Sequence, residues 1–184
     1  MADFVIQAGD FMRPYRTQGS DGGTMNYGPE STTQSFVRGA LLELDSQVSS
    51  SNFRLRQALA SASTVTSTSL IGVAAEGASS VTDATRIYWP INPQIEYMAR
   101  TRGGLIQSTN VGQAFGLFFD STKAVYGVDL ANQVSTSIRV VVTGLIDSPG
   151  DSGGYVRFKF GTPAGSSGLT STNTFGGGAV PIRY

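Results

Sequence analysis

Residues Gly150-Asp151-Ser152-Gly153-Gly154 match the string that surrounds the reactive serine of Ser/His/Asp proteases. Such a serine reacts only when an imidazole accepts its proton near neutral pH. The chain contains no histidine and no cysteine, so it lacks this base and also the thiol nucleophiles. The sequence therefore predicts that the protein is not an enzyme.

The same turn has features of two other kinds of chemistry. Asp151-Ser152-Gly153 is similar to the turn of proteases in which two carboxylates share a proton, but Ser148-Pro149-Gly150 precede it where those enzymes have an apolar strand. Asp147 and Asp151 could offer oxygen ligands to calcium. Aspartates in turns usually bond their own backbone, however. We therefore expect a glycine-rich hairpin connection with no catalytic residue, no metal and no cofactor.

The composition indicates one domain with a neutral polar surface. The 184 residues are enough for one well-buried core. Charged residues make up 14% of the chain, compared with roughly 25% in an ordinary globular protein. A surface of this kind suits a subunit of a larger assembly, although glycine-rich β proteins show it as well. Both interpretations stay open at this point.

The charge balance bears on the class of partner. The formal net charge is zero and the pI is about 6.2, so we expect no nucleic acid partner. No run of 18 or more apolar residues is present and the first residues lack a signal-peptide pattern, so we also expect no membrane association. Nearly all the basic residues are arginines, which suit interface ion pairs because the guanidinium group binds carboxylates through two nitrogens.

From residue 34 onward, apolar and polar residues alternate with the period of half-buried β-strands. Residues 53–59 show this alternation clearly. Residues 85–91 repeat it, and Pro90 predicts an edge or bulged strand there. Further predicted strands span residues 65–74, 94–100, 111–119, 124–130, 137–146 and 154–160.

Residues 35–44 fit a helix and a strand equally well, because their apolar residues satisfy both spacings. Short strands separated by turn residues predict an all-β fold, either an antiparallel β-barrel or a sandwich, over residues 34–160. The aromatic residues of these strands mostly point inward by alternation, so we expect them to fill the core. The alternative, an exposed aromatic platform for sugars, is less favoured.

Two segments flank this predicted core. Residues 1–33 hold spaced aromatic residues without periodicity, which is typical of an extended N-terminal arm on another surface or of an ordered loop on the chain's own barrel. Residues 161–184 have the composition of a flexible C-terminal tail, with an apolar tip at residues 180–184. The tip is interpreted either as a docking peptide or as a disordered end.

Several stretches of the core have the order of strand starts and turns found in one family of small proteins. They are Phe36-Val37-Arg38-Gly39, Leu70-Ile71-Gly72-Val73-Ala74, Ile87-Tyr88-Trp89-Pro90, Val111-Gly112-Gln113-Ala114-Phe115-Gly116-Leu117, Val128-Asp129-Leu130, Arg139-Val140-Val141-Val142 and Val156-Arg157-Phe158. In these stretches, about two thirds of the chain resembles the β-barrel decoration (cement) proteins of tailed-bacteriophage capsids. Residues 1–33 and 161–184 depart from the compact core of that family.

The resemblance implies a structural virion protein, made in the host cytoplasm and located on the outer capsid surface, that cements neighbouring subunits of the major capsid protein. A second copy of the chain is a further expected partner. The alternative function is a receptor- or glycan-binding module of the virion surface. The expected interface residues are Phe4, Phe11, Arg13, Tyr15, Val180, Ile182 and Tyr184.

Overall fold

A computed structural model describes residues 11–17, 25–45, 53–61, 64–66, 70–92, 95–133 and 140–161. These residues form an all-β fold, as predicted, together with a single 3₁₀ turn at Ser108–Asn110. Among them, no helix has the length and apolar character needed to cross a bilayer. The strands are β1 (Arg13–Thr17), β2 (Asn26–Pro29), β3 (Leu41–Leu44), β4 (Leu55–Gln57), β5 (Ala60–Ser61), β6 (Thr64–Val65), β7 (Leu70–Ala74), β8 (Thr85–Pro90), β9 (Ile95–Arg102), β10 (Ala114–Asp120), β11 (Val125–Asp129), β12 (Val140–Leu145) and β13 (Tyr155–Phe160).

Five strands close into a barrel in the order β9, β13, β12, β10 and β11, with β11 returning to β9. Every pair in this ring is antiparallel except the closing pair, in which β11 runs parallel to β9. Apolar side chains alternate inward along β9, β12 and β13. The predicted alternation of these segments is confirmed, and β5 and β6 extend the sheet beyond β10.

The parallel closure depends on a close approach of the two backbones. A Cβ atom at Gly127 would lie 2.4 Å from the carbonyl oxygen of Arg100 and 2.5 Å from the ring of Phe118. At the end of the same seam, the Arg102 guanidinium donates two hydrogen bonds, of 2.9 and 2.8 Å, to Oδ2 of Asp129. Glycine therefore allows the contact, and a half-buried ion pair holds its end together.

The remaining strands form a second sheet in the order β2, β8, β7, β3 and β4. This sheet curls until its two outer strands meet at one point, where Glu30 forms a parallel bridge with Leu55. The Glu30 side chain is fully buried, and its carboxylate accepts hydrogen bonds from the backbone of Ser79 and Ser80 at 2.8 Å each. The second sheet therefore closes on itself, among the described residues, at the bridge between Glu30 and Leu55.

Two buried tyrosines of the barrel connect it to the second sheet. The Tyr97 hydroxyl donates to the carbonyl oxygen of Pro90 at 2.7 Å. The Tyr126 hydroxyl accepts from Nε2 of Gln57 at 2.9 Å and donates to the carbonyl oxygen of Ala58 at 3.3 Å. Buried apolar side chains of both sheets form one contiguous core. The described residues therefore share a single hydrophobic interior.

Three details refine the sequence predictions. The helical alternative for residues 35–44 is wrong, because residues 41–44 form β3 and pair with two strands. The predicted strand at residues 65–74 is two strands, β6 and β7, in different sheets. Strand β8 has neighbours on both sides, but its pairing with β2 ends at Tyr88, so Pro90 lies at a local edge where no donor is needed.

We expect Gly127→Ala to destabilise the fold by about 2–3 kcal/mol, because the new methyl group overlaps a backbone oxygen and a buried ring. Urea unfolding followed by circular dichroism measures the change. Gly104→Ala is the matched control, since its Cβ would meet only the Cβ of Leu130 at an ordinary 3.6 Å. Equal unfolding free energies for the two variants would contradict the role assigned to the closing seam.

Burial raises the pKa of the Tyr97 and Tyr126 hydroxyls above their ordinary value of about 10. The folded state therefore keeps these protons to higher pH than the unfolded state does. Their contribution to stability is complete below about pH 10 and falls as the pH rises further. We expect the unfolding free energy to decrease less steeply above about pH 10 in Tyr97→Phe/Tyr126→Phe than in the wild type or in the exposed-site control Tyr27→Phe.

Candidate functional site

The loop that carries Gly150-Asp151-Ser152-Gly153-Gly154 connects the antiparallel strands β12 and β13, so the predicted hairpin connection is confirmed. Gly150 and Gly153 have φ angles of 100° and 68°, which glycine adopts without strain. The loop is bound to the connection after β9, because the backbone of Ile106 exchanges hydrogen bonds of 2.7 and 3.0 Å with Gly150 and Asp151. Both Asp151 and Ser152 are exposed.

Asp147 serves the backbone of the hairpin. Its Oδ2 atom accepts a hydrogen bond of 2.8 Å from the amide of Tyr155, as expected for an aspartate in a turn. Arg100 braces the same loop: its Nη1 donates to the carbonyl oxygen of Gly153 at 3.1 Å, and its guanidinium lies 4.2 Å from the centre of the Tyr155 ring. Within the described residues, no three acidic side chains gather as they would around a metal ion.

A different region brings together three of the predicted interface residues. Strand β1 adds to the edge of β9 that β11 leaves free: β1 pairs with residues 95–98, and β11 pairs with residues 101 and 102. Met12, just before β1, is fully buried. Gly39 makes room for this segment, because a Cβ there would lie 2.5 Å from the Cβ of Phe11, and its φ angle is +83°. The described part of the N-terminal segment is therefore packed onto the chain's own body.

Guanidinium groups and aromatic rings alternate on the surface that β1 presents. Arg13 and Arg38 lie 5.3 and 4.7 Å from the ring centre of Phe11, and Arg157 lies 5.2 Å from that of Tyr15. Arg13 also contacts the sulfur of Met98 at 3.4 Å. We call these six residues the β1 surface: Phe11, Arg13, Tyr15, Arg38, Met98 and Arg157.

The charge of the β1 surface is positive. Arg13 and Arg38 are exposed, and neither pairs with a carboxylate in the part of the chain that the structure describes. Arg157 approaches Oε2 of Glu96 at 3.9 Å, which is a loose ion pair. Arginines already held against aromatic rings can bind a carboxylate with little further loss of side-chain freedom. This surface is therefore suited to an acidic partner surface, although the whole chain has no net charge.

The other predicted interface residues, Phe4, Val180, Ile182 and Tyr184, lie outside the described residues. Their role stays a prediction. The prediction from sequence missed Arg38 and Arg157, which complete the β1 surface. Arg38 is 27 positions along the chain from Phe11, and no local sequence pattern predicts their contact. The turn at Gly39 brings the Arg38 guanidinium and the Phe11 ring together.

The predicted burial of the strand aromatics is confirmed for most of them, among them Tyr97, Phe115, Phe118, Tyr126 and Phe158. Trp89 is only 7% exposed, and Arg38 lies 5.6 Å from its ring centre. Its ring is therefore not available as a stacking platform for a sugar. Tyr27 and Phe53, by contrast, are 67% and 69% exposed.

Tyr27 and Phe53 help to line a cavity of about 700 Å³ where β2 and β4 meet. We call it the β2–β4 groove. It is lined by Tyr27, Gly28, Pro29, Leu44, Phe53, Leu55, Ile71, Asp83 and Tyr88. Arg54 holds Asp83 through hydrogen bonds of 2.7 and 2.9 Å. The groove is therefore mainly apolar, with one ion pair beside it.

Comparisons with protein-family models, with curated proteins and with solved structures found no match to this chain.

We expect Gly39→Ala to lower the unfolding free energy by about 2 kcal/mol and to speed amide exchange in residues 11–17, because the methyl group collides with Phe11 and the backbone has a left-handed conformation. Gly150→Ala separates the two causes, since its φ angle is +100° but its Cβ would meet nothing within 4 Å. If exchange in residues 11–17 rises equally in both variants, Gly39 does not position the β1 surface.

Proposed function

We propose that this protein is a structural component of a bacteriophage virion, which binds the outer surface of the capsid and cements neighbouring subunits of the major capsid protein. The observation that carries the proposal is the β1 surface. Three residues expected at the interface from sequence, Phe11, Arg13 and Tyr15, lie together there and are joined by Arg38 and Arg157.

The chemistry of the β1 surface favours a protein partner. Arginine and aromatic side chains are enriched where proteins bind proteins, because each buries a large area and still offers a directional polar contact. Arg13 and Arg38 present guanidinium groups toward solvent, against which carboxylates of a capsid subunit would pair. The complementary surface on the capsid is therefore acidic with apolar gaps for the rings of Phe11 and Tyr15.

The rest of the chain supports a role in adhesion. The stretches that resemble the decoration proteins lie largely in strands, with Leu70–Ala74 forming β7 and residues 140–142 and 156–158 lying in β12 and β13. Strand β1 stiffens the contact surface by pairing with β9, so little ordering remains to be done on binding. Many copies on a lattice would add their individually modest affinities.

The test uses capsids from which this protein has been removed. We expect the purified chain to rebind them and to raise the temperature at which they break open. Arg38→Glu should weaken rebinding at least about tenfold, since it places a carboxylate against the acidic partner surface. Val111→Glu is the matched control, because Val111 is exposed and lies outside the β1 surface.

Two outcomes would contradict the proposal in different ways. No rebinding of the wild type to stripped capsids would rule out the capsid as the partner. Wild-type rebinding that Arg38→Glu leaves unchanged, while far-ultraviolet circular dichroism confirms folding, would leave the capsid as partner but would remove the β1 surface as the interface.

A further inference from the structure

Met98 lies at the centre of the β1 surface, between two arginines. In the strand register, Met98 is directly opposite Arg13 on β1 and Arg157 on β13, so the three residues form one row across three strands. Side chains in such a row point to the same face of the sheet and lie about 5 Å apart. Met98 is half-buried, in alternation with the buried residues of β9. A thioether therefore lies between two guanidinium groups on the outer face of the barrel.

Both arginines have hydrogen-bond donors near the sulfur that lack a strong acceptor. Nε of Arg13 donates to Sδ of Met98 at 3.4 Å, and a thioether sulfur is a weak acceptor. Nε of Arg157 is buried and has no hydrogen-bond partner in the part of the chain that the structure describes. Nη1 of Arg157 lies 3.9 Å from Oε2 of Glu96, which is too far for a hydrogen bond. A stronger acceptor at the position of the sulfur would therefore be bound from both sides.

We propose that Met98 is an oxidation site, at which a peroxide converts the thioether to a sulfoxide whose oxygen the two arginines then bind. The sulfur attacks one oxygen of hydrogen peroxide, so an S–O bond forms while the O–O bond breaks. The sulfur is oxidised by two electrons, and these electrons reduce the peroxide. The departing hydroxide takes the proton of the transferred oxygen, and the products are methionine sulfoxide and one water molecule.

The other methionines differ from Met98 in burial or in location. The chain has four methionines and no cysteine that would react with the oxidant first. Met12 is fully buried, so peroxide does not reach its sulfur in the folded protein. Met25 is 44% exposed and is open to oxidation, but it lies outside the β1 surface. Met1 lies outside the described residues. Met12 and Met25 therefore serve as a protected and an accessible reference for Met98.

Oxidation of Met98 changes what the β1 surface can bind. The sulfoxide oxygen attracts the Arg13 guanidinium, which in the reduced protein lies 5.3 Å from the centre of the Phe11 ring. Arg13 is then less available to a carboxylate of a partner. The reaction also replaces an apolar contact by a polar one, which weakens interfaces that contain methionine. This consequence rests on the proposed function of the β1 surface, whereas the oxidation site itself does not.

Two measurements on the free, full chain test the site. After exposure to hydrogen peroxide, peptide mass spectrometry should show that Met98 gains one oxygen at least about tenfold faster than the buried Met12. In the proton–nitrogen correlation spectrum, the Nε–H signals of Arg13 and Arg157 should then move downfield, because both groups donate to the new oxygen. The Nε–H signal of Arg54 should stay in place, since Asp83 already binds that group.

Capsid rebinding tests the consequence separately. We expect oxidation to weaken rebinding of the wild type at least about threefold and to leave rebinding of Met98→Leu unchanged. Leucine is the matched control because it is similar in volume to methionine and has no sulfur to oxidise. Met25 is oxidised in both proteins, so its effect on rebinding is the same in each.

Each part of the proposal can fail by itself. If Met98 oxidises no faster than Met12 in the folded protein, Met98 is not an oxidation site. If Met98 oxidises while the Arg13 and Arg157 signals stay in place, the arginines do not bind the sulfoxide. If oxidised wild type rebinds capsids as well as reduced wild type, oxidation does not regulate the contact. Failure of the reduced wild type to rebind would contradict the proposed function and the regulation of binding, but not the oxidation site, which is measured without capsids.

Discussion

The parallel pairing of β11 with β9 is the contact on which the architecture depends. Without it, the strands from β9 to β13 would form an open sheet with two free edges. Closure needs backbones so close that Gly127 cannot carry a side chain, and it places Asp129 within hydrogen-bonding distance of Arg102. The half-buried ion pair is well compensated because both groups also face ordered neighbours: the guanidinium lies over Phe118 and the carboxylate accepts from the amide of Ala131.

Closure also decides where the N-terminal segment can bind. Strand β11 covers only the last two residues of β9 on that side, so the first half of the edge stays open and β1 fills it. Because Met12 is buried and Gly39 leaves room for Phe11, the segment is held by its strand and by the two residues before it. The β1 surface is thus a product of barrel closure, and its arginines are positioned by a rigid sheet.

Within the described residues, the second sheet closes by a single bridge, whereas the barrel closes by a strand pair. The second sheet curls far enough for its two outer strands to meet at the bridge between Glu30 and Leu55. Its attachment to the barrel relies on the hydroxyls of Tyr97 and Tyr126, which donate to the carbonyl oxygens of Pro90 in β8 and of Ala58 just after β4. The two sheets therefore depend on each other for burial of their apolar side chains. The β2–β4 groove lies where the two outer strands of the second sheet meet, and side chains from several of its strands line it.

The sequence alone determined the class of fold and which aromatic side chains of the strands are mostly buried. Alternation of apolar residues placed the strands of the barrel and predicted that residues such as Tyr97 and Phe158 are buried, because the period of two is a local property of a half-buried strand. The absence of histidine excluded a Ser/His/Asp triad, because composition alone shows which side chains the protein has. Turn residues likewise predicted the hairpin at Gly150.

Only the tertiary structure decided which distant residues meet. The division of residues 65–74 between two sheets, the parallel seam of the barrel and the placement of Arg38 over the Phe11 ring all join segments far apart in the chain. Residues 35–44 satisfied both spacings, and pairing with β4 and β7 selected the strand. Local patterns carry no information about such partners, because the free energy that selects them comes from packing and hydrogen bonds formed when the whole body assembles.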